Sequence, residues 1–543
     1  RFPLRGGSEI ELFLPVWTPG SYLIREYARN LEEVRADAGA VFKTAKNRWK
    51  ISMAGGGEAV VRYRVYCREM SVRTNWVEES FALLNGAATF LNAAGDRGMA
   101  YEVTLELPAT WTLSACGLDE IGEHRYFARD YDALVDSPLY AGTAPVYRFE
   151  IGGVPHDLVN HGGDGVWDGS RSAADVETIV RRHIAMWGDV PYSKYVFLNL
   201  MTEARGGLEH RNSMCVMTSR WATGAEKSYR NWLGLISHEF FHVWNVKRLR
   251  PVELGPFDYE AENPTAGLWF AEGITEYYAH LLVRRAGLIT RTEYLAELSQ
   301  AIHSLQTTPG RGVTSVEQAS RDAWIKLYRP DENTPNTSIS YYVKGAVIGW
   351  LLDTRIRAAS GGSRSLDDLM RQAYARYSGG RGFTGAEMRG LASEVAGESL
   401  EGFFGRTLES TEELDYAEAL QWFGLRFRPT ERTGQATMGA ETKIEGGRLV
   451  VARIPRGTLA YDSGLNVGDE IVAIEGFRVR PEGLAERMGN YQPGDRVVVL
   501  IARREKLREI EVSLGEDPGD PWRLEISPEA STDQRRCLEV WLE

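Results

Sequence analysis

Cysteine is scarce in this chain: four in 543 residues, at Cys67, Cys116, Cys215 and Cys537, with no CxxC pair. That spacing offers neither a disulfide framework nor a thiolate zinc site, so free and mostly buried thiols are expected. No run reaches the roughly eighteen apolar residues of a membrane helix, and no membrane span is expected. Basic residues fall short of acidic ones, 63 against 75, leaving a net charge of −12. Nucleic acid is therefore not the expected partner, since a duplex binder clusters Lys and Arg to neutralise phosphates. The short basic run Lys247, Arg248 and Arg250 is expected to form structural pairs. The lack of a disulfide framework favours the cytoplasm. The sequence starts at Arg1 within strand-like sequence, so a lost signal peptide or first strand, and with it the periplasm, stays open.

What is present is the composition of a soluble globular protein, 43% hydrophobic and 25% charged. At this length two to four domains are expected. Residues 1–160 read as β-rich: 9–14, 59–66 and 101–107 alternate apolar and polar residues between Gly, Pro and Asn, which suggests a sandwich-like domain of antiparallel sheets. From about 170 the period changes. Helical spacing appears at 173–187, a buried strand at 195–201, and helices at 229–249, 268–286, 291–305, 340–358, 366–377 and 385–395. The stretches 251–264 and 307–335 read as long irregular connections, the second long enough to suggest function. After a charged linker at 428–435 the pattern returns to strands, with a short helix at 482–488. The expected class is multidomain α+β, divided as 1–160, 161–430, 436–516 and a tail at 517–543.

With only nine histidines in the chain, the motif HExxH within SHEFFHVWNVKRL (237–249) arises by chance in about one sequence in a hundred of this composition. On a helix, His238 and His242 share a face one turn apart and can meet one ion at about 2.0–2.1 Å. Glu239 projects from the same turn, placed to take a proton from water as general base. A catalytic zinc needs a third protein ligand, and no HxxGxxH continuation supplies a third histidine. Glu272, alone among apolar neighbours in GLWFAEGITEYYAHLL (267–282), ranks first, since a lone buried carboxylate costs several kcal/mol without a metal or charged partner. Glu276, one turn on, suits the outer N–H of a ligating histidine. The two roles can be exchanged, and Asp258, Glu260 and Glu262 are rivals on the preceding loop.

HEFFHVWNVKRLRP followed by WFAEGITEYY, with LFLPVWTPGSYLIREYARN at 12–30, resembles the glycyl-aminopeptidase-like family of PDZ-containing zinc metallopeptidases, members of the gluzincins. The resemblance covers nearly the whole chain. It implies a mainly helical, thermolysin-like catalytic domain between the β domain and a C-terminal PDZ β module, with one Zn²⁺ per chain held by His238, His242 and Glu272. It also implies two further roles. GGLEH (206–210) is similar to the Gly-x-x-Glu-Asn element of larger gluzincin aminopeptidases, which assigns the substrate's α-amino group to Glu209. His210 stands where those enzymes have Asn, so the match is partial. SYYVKG (340–345) is similar to the Tyr-x-Lys-Gly segment whose tyrosine stabilises the tetrahedral intermediate, which assigns that role to Tyr342, with Tyr341 a one-residue alternative.

The expected reaction is zinc-dependent hydrolysis of N-terminal residues, small ones such as Gly or Ala by family, from peptides with a free amine. SGLNVGDEIVAIEGFRV (463–479) resembles a PDZ domain of the kind attached to bacterial proteases. By that likeness TMGA (437–440) is the carboxylate loop, with Met438, Gly439 and Ala440 facing a C-terminal peptide ligand. Two rivals stand beside this reading. One is an endopeptidase that captures C-termini through the PDZ-like module, and the other an inactive peptide-binding scaffold.

Overall fold

The computed structural model describes residues 1–4, 7–55, 57–429 and 434–543; positions 430–433 of the expected 428–435 linker lie outside the described residues. It is a multidomain α+β molecule with a β-rich N-terminal part and a helical middle. The first 143 residues form several small antiparallel sheets, among them a four-stranded one ordered Asn92–Ala93, Glu9–Phe13, Arg48–Ser52, Ala40–Ala45. Their inner faces close on one core containing Leu12, Trp49, Tyr126 and Tyr131.

A five-stranded mixed sheet joins this part to the helices. Its order is Val146–Ile151, Val154–His161, Tyr195–Met201, Ser213–Thr218, Gly206–Glu209. The three central strands run parallel and the two outer ones antiparallel to their neighbours. The expected boundary at 160 thus falls within the second strand of this sheet. All seven residues of Tyr195–Met201 are buried because both faces are covered. Phe197 and Met201 enter the helical core on one side, while Val196, Leu198 and Leu200 meet Val72, Phe81 and Tyr140 of the N-terminal part on the other. Gly206–Glu209 pairs with Ser213–Thr218 alone among the described residues, so its outer edge faces the cleft.

Helices lie close to their expected bounds, at Gly169–Trp187, Arg291–Gln306, Tyr341–Ala359, Leu366–Tyr377 and Gly385–Ala396. Two depart. The HExxH helix is Glu226–Phe241, ending eight residues before its apolar pattern does. The next begins as a π-helical turn, Trp269–Ile274, before the α-helix Thr275–Arg285. The 307–335 connection holds short helices, Pro309–Gly312, Val316–Arg321 and Asp322–Trp324.

Strands Glu441–Glu445, Arg448–Arg453, Glu470–Ile474, Arg496–Arg503 and Lys506–Ser513 form a separate sheet with its own core of Leu449, Val451, Ile471, Val499 and Val512. The tail then returns to the helices. Leu524–Ile526 pairs with Leu425–Phe427, and helix Thr532–Leu542 seats Trp541 against Tyr294, Trp350 and Phe423.

Candidate active site

Helix Glu226–Phe241 buries Trp232, Leu233, Ile236 and Phe240 in the main core and carries His238 and Glu239 in its last turn. His242 caps it. There the chain leaves the helix, and the His242 Nδ1–H donates to the Asn245 carbonyl at 2.7 Å. That bond fixes the tautomer and leaves Nε2 bare. The Asn245 amide donates to Phe270 O at 3.0 Å and Ala271 O at 3.3 Å, carbonyls that belong to the π-helical turn. One asparagine therefore ties His242 to the turn that carries Glu272. The inserted residue of a π turn re-aims its side chains, a device common at functional sites.

Three donor atoms converge. His238 Nε2 and His242 Nε2 are 3.2 Å apart, and Glu272 Oε2 lies 3.5 and 3.2 Å from them. Ligands at 2.0–2.1 Å around a tetrahedral ion stand about 3.3 Å from one another, so the three atoms occupy three corners of such a site. All three residues are buried. Burial works to lower both imidazoles, yet the Glu272 carboxylate, joined at His238 by Glu276, outweighs it and raises them. Burial raises Glu272, and His242 and His238 pull it back down to about 2. Such a charge balance, carboxylate drawing positive charge onto imidazoles, suits a dication. The donor set fits zinc.

Glu276 Oε2 lies 2.8 Å from His238 Nδ1, though not in line with its N–H. The loop rivals face elsewhere: Glu260 pairs with Arg48 at 2.6 Å, Asp258 receives the Glu260 N–H, and Glu262 is exposed.

Glu239 is buried beside the triad. Burial, with Glu209 and Glu272 nearby, pushes its carboxyl up to about 7 against the pull of the two imidazoles. A base near neutrality is what proton transfer at pH 7 needs. The edge strand passes directly beneath it: a Cβ on Gly207 would stand 2.0 Å from Glu239 Oε1. Glu209, 3% exposed, ends the same strand. Glu209, Glu239 and His242 bring donor atoms within 4.8 Å of one another.

Lys247 reaches Glu209 at 3.4 Å and Asp136 at 2.9 Å, and His210 Nδ1 sits 3.1 Å from Asp136. The basic run does form structural pairs, for Arg248 donates to the carbonyls of Arg211, Val243 and Pro191. Tyr342 lies beside His238, ring centroids 6.1 Å apart, and its hydroxyl is 3.3 Å from that of Tyr328. Tyr341 is fully buried in the core, so Tyr342 is the one of the pair that lines the cleft.

The three metal donors, Glu239, Glu276, Gly207, Glu209 and Tyr342 line a cleft of about 370 Å³. Two of its walls were not foreseen. Gly20 and Arg73 come from the N-terminal part, and Gly20 sits on the Glu209 carboxylate, where a Cβ would approach Oε2 to 2.5 Å. Gly20 lies in the WTPGSY segment, a Pro-Gly turn whose φ of +86° suits glycine. Nothing local in the sequence points to Arg73.

Met438, Gly439 and Ala440 are not part of this cluster. Met438 packs in the C-terminal core, Gly439 has φ +77° against Thr458, and its N–H donates to Thr437 Oγ1 at 3.1 Å.

Sequence-family comparison matches residues 231–348 to the M61 glycyl aminopeptidase family and residues 1–143 to the peptidase M61 N-terminal domain. The two matches together span 261 of the 543 residues, and over that span the chain is similar to M61 peptidases. The donors at 238, 242 and 272 are in keeping with a zinc metallopeptidase. The chain is similar over 100% of its length to an aminopeptidase N family protein from Idiomarina loihiensis, at 29% identity and TM-score 0.93, covering 96% of that chain. An M1 zinc metallopeptidase from Deinococcus radiodurans aligns at 15% identity and TM-score 0.45, over 76% of this chain and 88% of that one. A probable periplasmic serine endoprotease DegP-like from Brucella suis is 32% identical over 101 residues. That match spans 18% of this chain and about a fifth, 19%, of the Brucella protein.

Proposed function

We propose that the protein is a zinc-dependent aminopeptidase, which removes an N-terminal residue from peptides with a free α-amine. The observation that carries this reading is the charge of Glu209 in the cleft and of the residues behind it. Glu209, buried, and Asp136, half-buried and also held by His210, share one lysine, Lys247. The group is one cation short, and a substrate ammonium at Glu209 balances it. The glycyl name of the M61 family, and Gly20 closing over Glu209, support a preference for small residues such as Gly or Ala.

His238, His242 and Glu272 would hold one Zn²⁺. When bound, the ion supplies Lewis acidity, making water easier to deprotonate and the scissile carbonyl more electrophilic. Glu239 takes the proton of the attacking water and returns it to the leaving amine. The Tyr342 hydroxyl donates to the oxygen on which charge develops. Glu209 holds the ammonium and the Gly206–Glu209 edge pairs with the peptide backbone. Glu276 orients His238 through its outer nitrogen.

We read residues 1–160, 161–430, 436–516 and 517–543 as working units, the third a PDZ-like module for a C-terminal peptide. The edge of Glu441–Glu445 away from Arg448–Arg453 supports strand addition there. Met438–Ala440 would form the carboxylate loop.

The test is hydrolysis of Ala-p-nitroanilide and its N-acetyl form, before and after chelation. Activity on the free amine alone, lost with chelator and restored by zinc, is expected. Glu209→Gln should raise KM at least tenfold. Equal rates on both substrates would instead point to the endopeptidase, and binding without turnover to the scaffold.

A further inference from the structure

We infer that the preferred substrates are free peptides of two or three residues, whose C-terminal carboxylate is taken by Arg73. This rests on the aminopeptidase reading and adds to it the length of chain that the cleft accepts. Arg73 stands at the other end of the edge strand from Glu209. Its Nη2 donates to Gly207 O at 3.4 Å, and its Nη1 would be 3.6 Å from a Cβ on Gly206. The guanidinium makes no ion pair within 4.0 Å among the described residues, and its buried Nε–H has no hydrogen-bond partner. Other enclosed arginines differ in how they are matched: Arg285 pairs with Asp367 at 2.9 Å and Arg357 with Asp353 at 3.0 Å, whereas Arg248 fills its guanidinium with the carbonyls of Arg211, Val243 and Pro191 and with Asn212 Oδ1. An unmatched guanidinium lining a substrate cleft is a vacant anion seat.

The two ends of the cleft are thus complementary to a zwitterion. Glu209 and Asp136 lack one positive charge, and Arg73 lacks one negative charge. The spacing agrees with a short peptide. From Glu209 to Gly206 the strand advances about 10 Å. A tripeptide spans about 10 Å and a dipeptide about 7 Å, at 3.3–3.6 Å per residue. With the amine on Glu209, Gly207 and Glu239 flank the first peptide bond, and the leaving part runs toward Gly206 and Arg73. Arginine also donates to neutral carbonyls, but a charge-assisted contact to carboxylate is roughly twice as strong and can be bidentate. A longer chain presents only a carbonyl at that point.

The alternative is that Arg73 merely braces the strand through Gly207 O. The experiment compares Ala-Ala-Ala as free acid and as C-terminal amide on the zinc-loaded full chain. The wild type should favour the acid by about tenfold to a hundredfold in kcat/KM, chiefly through KM. Arg73→Gln should reduce that ratio to below threefold, with acid cleavage falling at least about three times more than amide cleavage, and Arg73→Lys should restore part of it. A wild type indifferent to acid and amide, or an Arg73→Gln variant that keeps the preference, would overturn the proposal. Cleavage of both forms without discrimination would remove only the role of Arg73. Failure to cleave any free-amine substrate would remove the aminopeptidase reading. Calorimetric binding of the two tripeptides to Glu239→Gln would still decide the role of Arg73 in that case.

Discussion

Gly207 shows how narrowly the site is fixed at the residue scale. Its missing side chain is what lets the edge strand lie against the general base, since a Cβ would sit 2.0 Å from Glu239 Oε1 and 2.4 Å from Cδ. In Gly207→Ala the carboxylate must move while the three metal donors need not. Displacing a reacting group by about 1 Å costs on the order of a hundredfold in rate. The variant should keep its zinc, by metal analysis of the dialysed protein, and lose about a hundredfold in kcat. A kcat within threefold of wild type would mean that Glu239 is not the base or that the strand yields freely. Residues of this kind divide sharply in how far the sequence exposes them. His238, Glu239 and His242 are legible because four-residue spacing on a helix is itself the geometry. Glu272 is legible because a lone carboxylate in an apolar run demands a partner. Gly20 and Arg73 are not, because they reach the cleft only through tertiary folding across more than a hundred residues.

At the scale of elements, the site depends on how closely two helices cross. The π-helical turn Trp269–Ile274 meets helix Tyr341–Ala359 at Gly273 and Gly345, where a Cβ on either would lie within 2.5–2.8 Å of the other's Cα. That crossing brings Glu272 and Tyr342 to one side of the metal site. Replacing a mid-helix glycine by alanine ordinarily stabilises by about 1 kcal/mol. Here overpacking costs roughly 1–3 kcal/mol and wins. Gly345→Ala should therefore lower the unfolding free energy despite its better propensity, and weaken zinc binding in chelator competition as Glu272 is pushed away. Unchanged zinc affinity with raised stability would show that the crossing has slack. The periodicity could not reveal the π turn, since every residue from Trp269 to Ile274 is buried and an extra residue leaves no polar mark. The HExxH helix reads too long for a related reason. Val243, Trp244, Val246 and Leu249 are all core residues, but they follow a turn that the His242–Asn245 bond requires.

The whole molecule is a β-rich part and a helical part welded by one sheet, with the 441–513 sheet spliced in before the chain returns. Asn336 of the helical part clasps that sheet unit, donating to Ile454 O at 3.0 Å and accepting from Arg456 N at 2.8 Å. The tail could not be placed from sequence because its strand Leu524–Ile526 pairs with Leu425–Phe427, a hundred residues back. The strands Tyr195–Met201 and Ser213–Thr218 of the welding sheet are buried on both faces, and burial around that weld sets how stability depends on pH. His156, on the sheet, and His183, on the helix packed over it, are 0% exposed. His156 is satisfied as the neutral ring, donating to Val154 O and meeting Tyr192 Oη at 2.9 Å, while His183 meets Ser237 Oγ at 3.0 Å through Nε2 and its Nδ1 has no partner among the described residues. Burial pushes His156 down to about 4 and His183 down to about 3, from 6.5. Since the folded values are depressed, the unfolded chain binds more protons between pH 6.5 and those values. Stability from these groups is complete above pH 6.5 and lost as pH falls. At pH 5 each has cost about 2 kcal/mol, at 1.36 kcal/mol per pH unit below 6.5. The expected outcome for the zinc-loaded protein is a fall of about 4 kcal/mol in denaturant stability from pH 7.5 to 5 through these two rings. The depressed Asp136, held by Lys247 and His210 against its burial, gives up its share only at still lower pH. In His156→Gln/His183→Gln the loss between pH 7.5 and 5 should shrink by most of that amount, whatever the variant's stability at pH 7.5. An unaltered pH dependence would mean that these rings admit water and protonate in place.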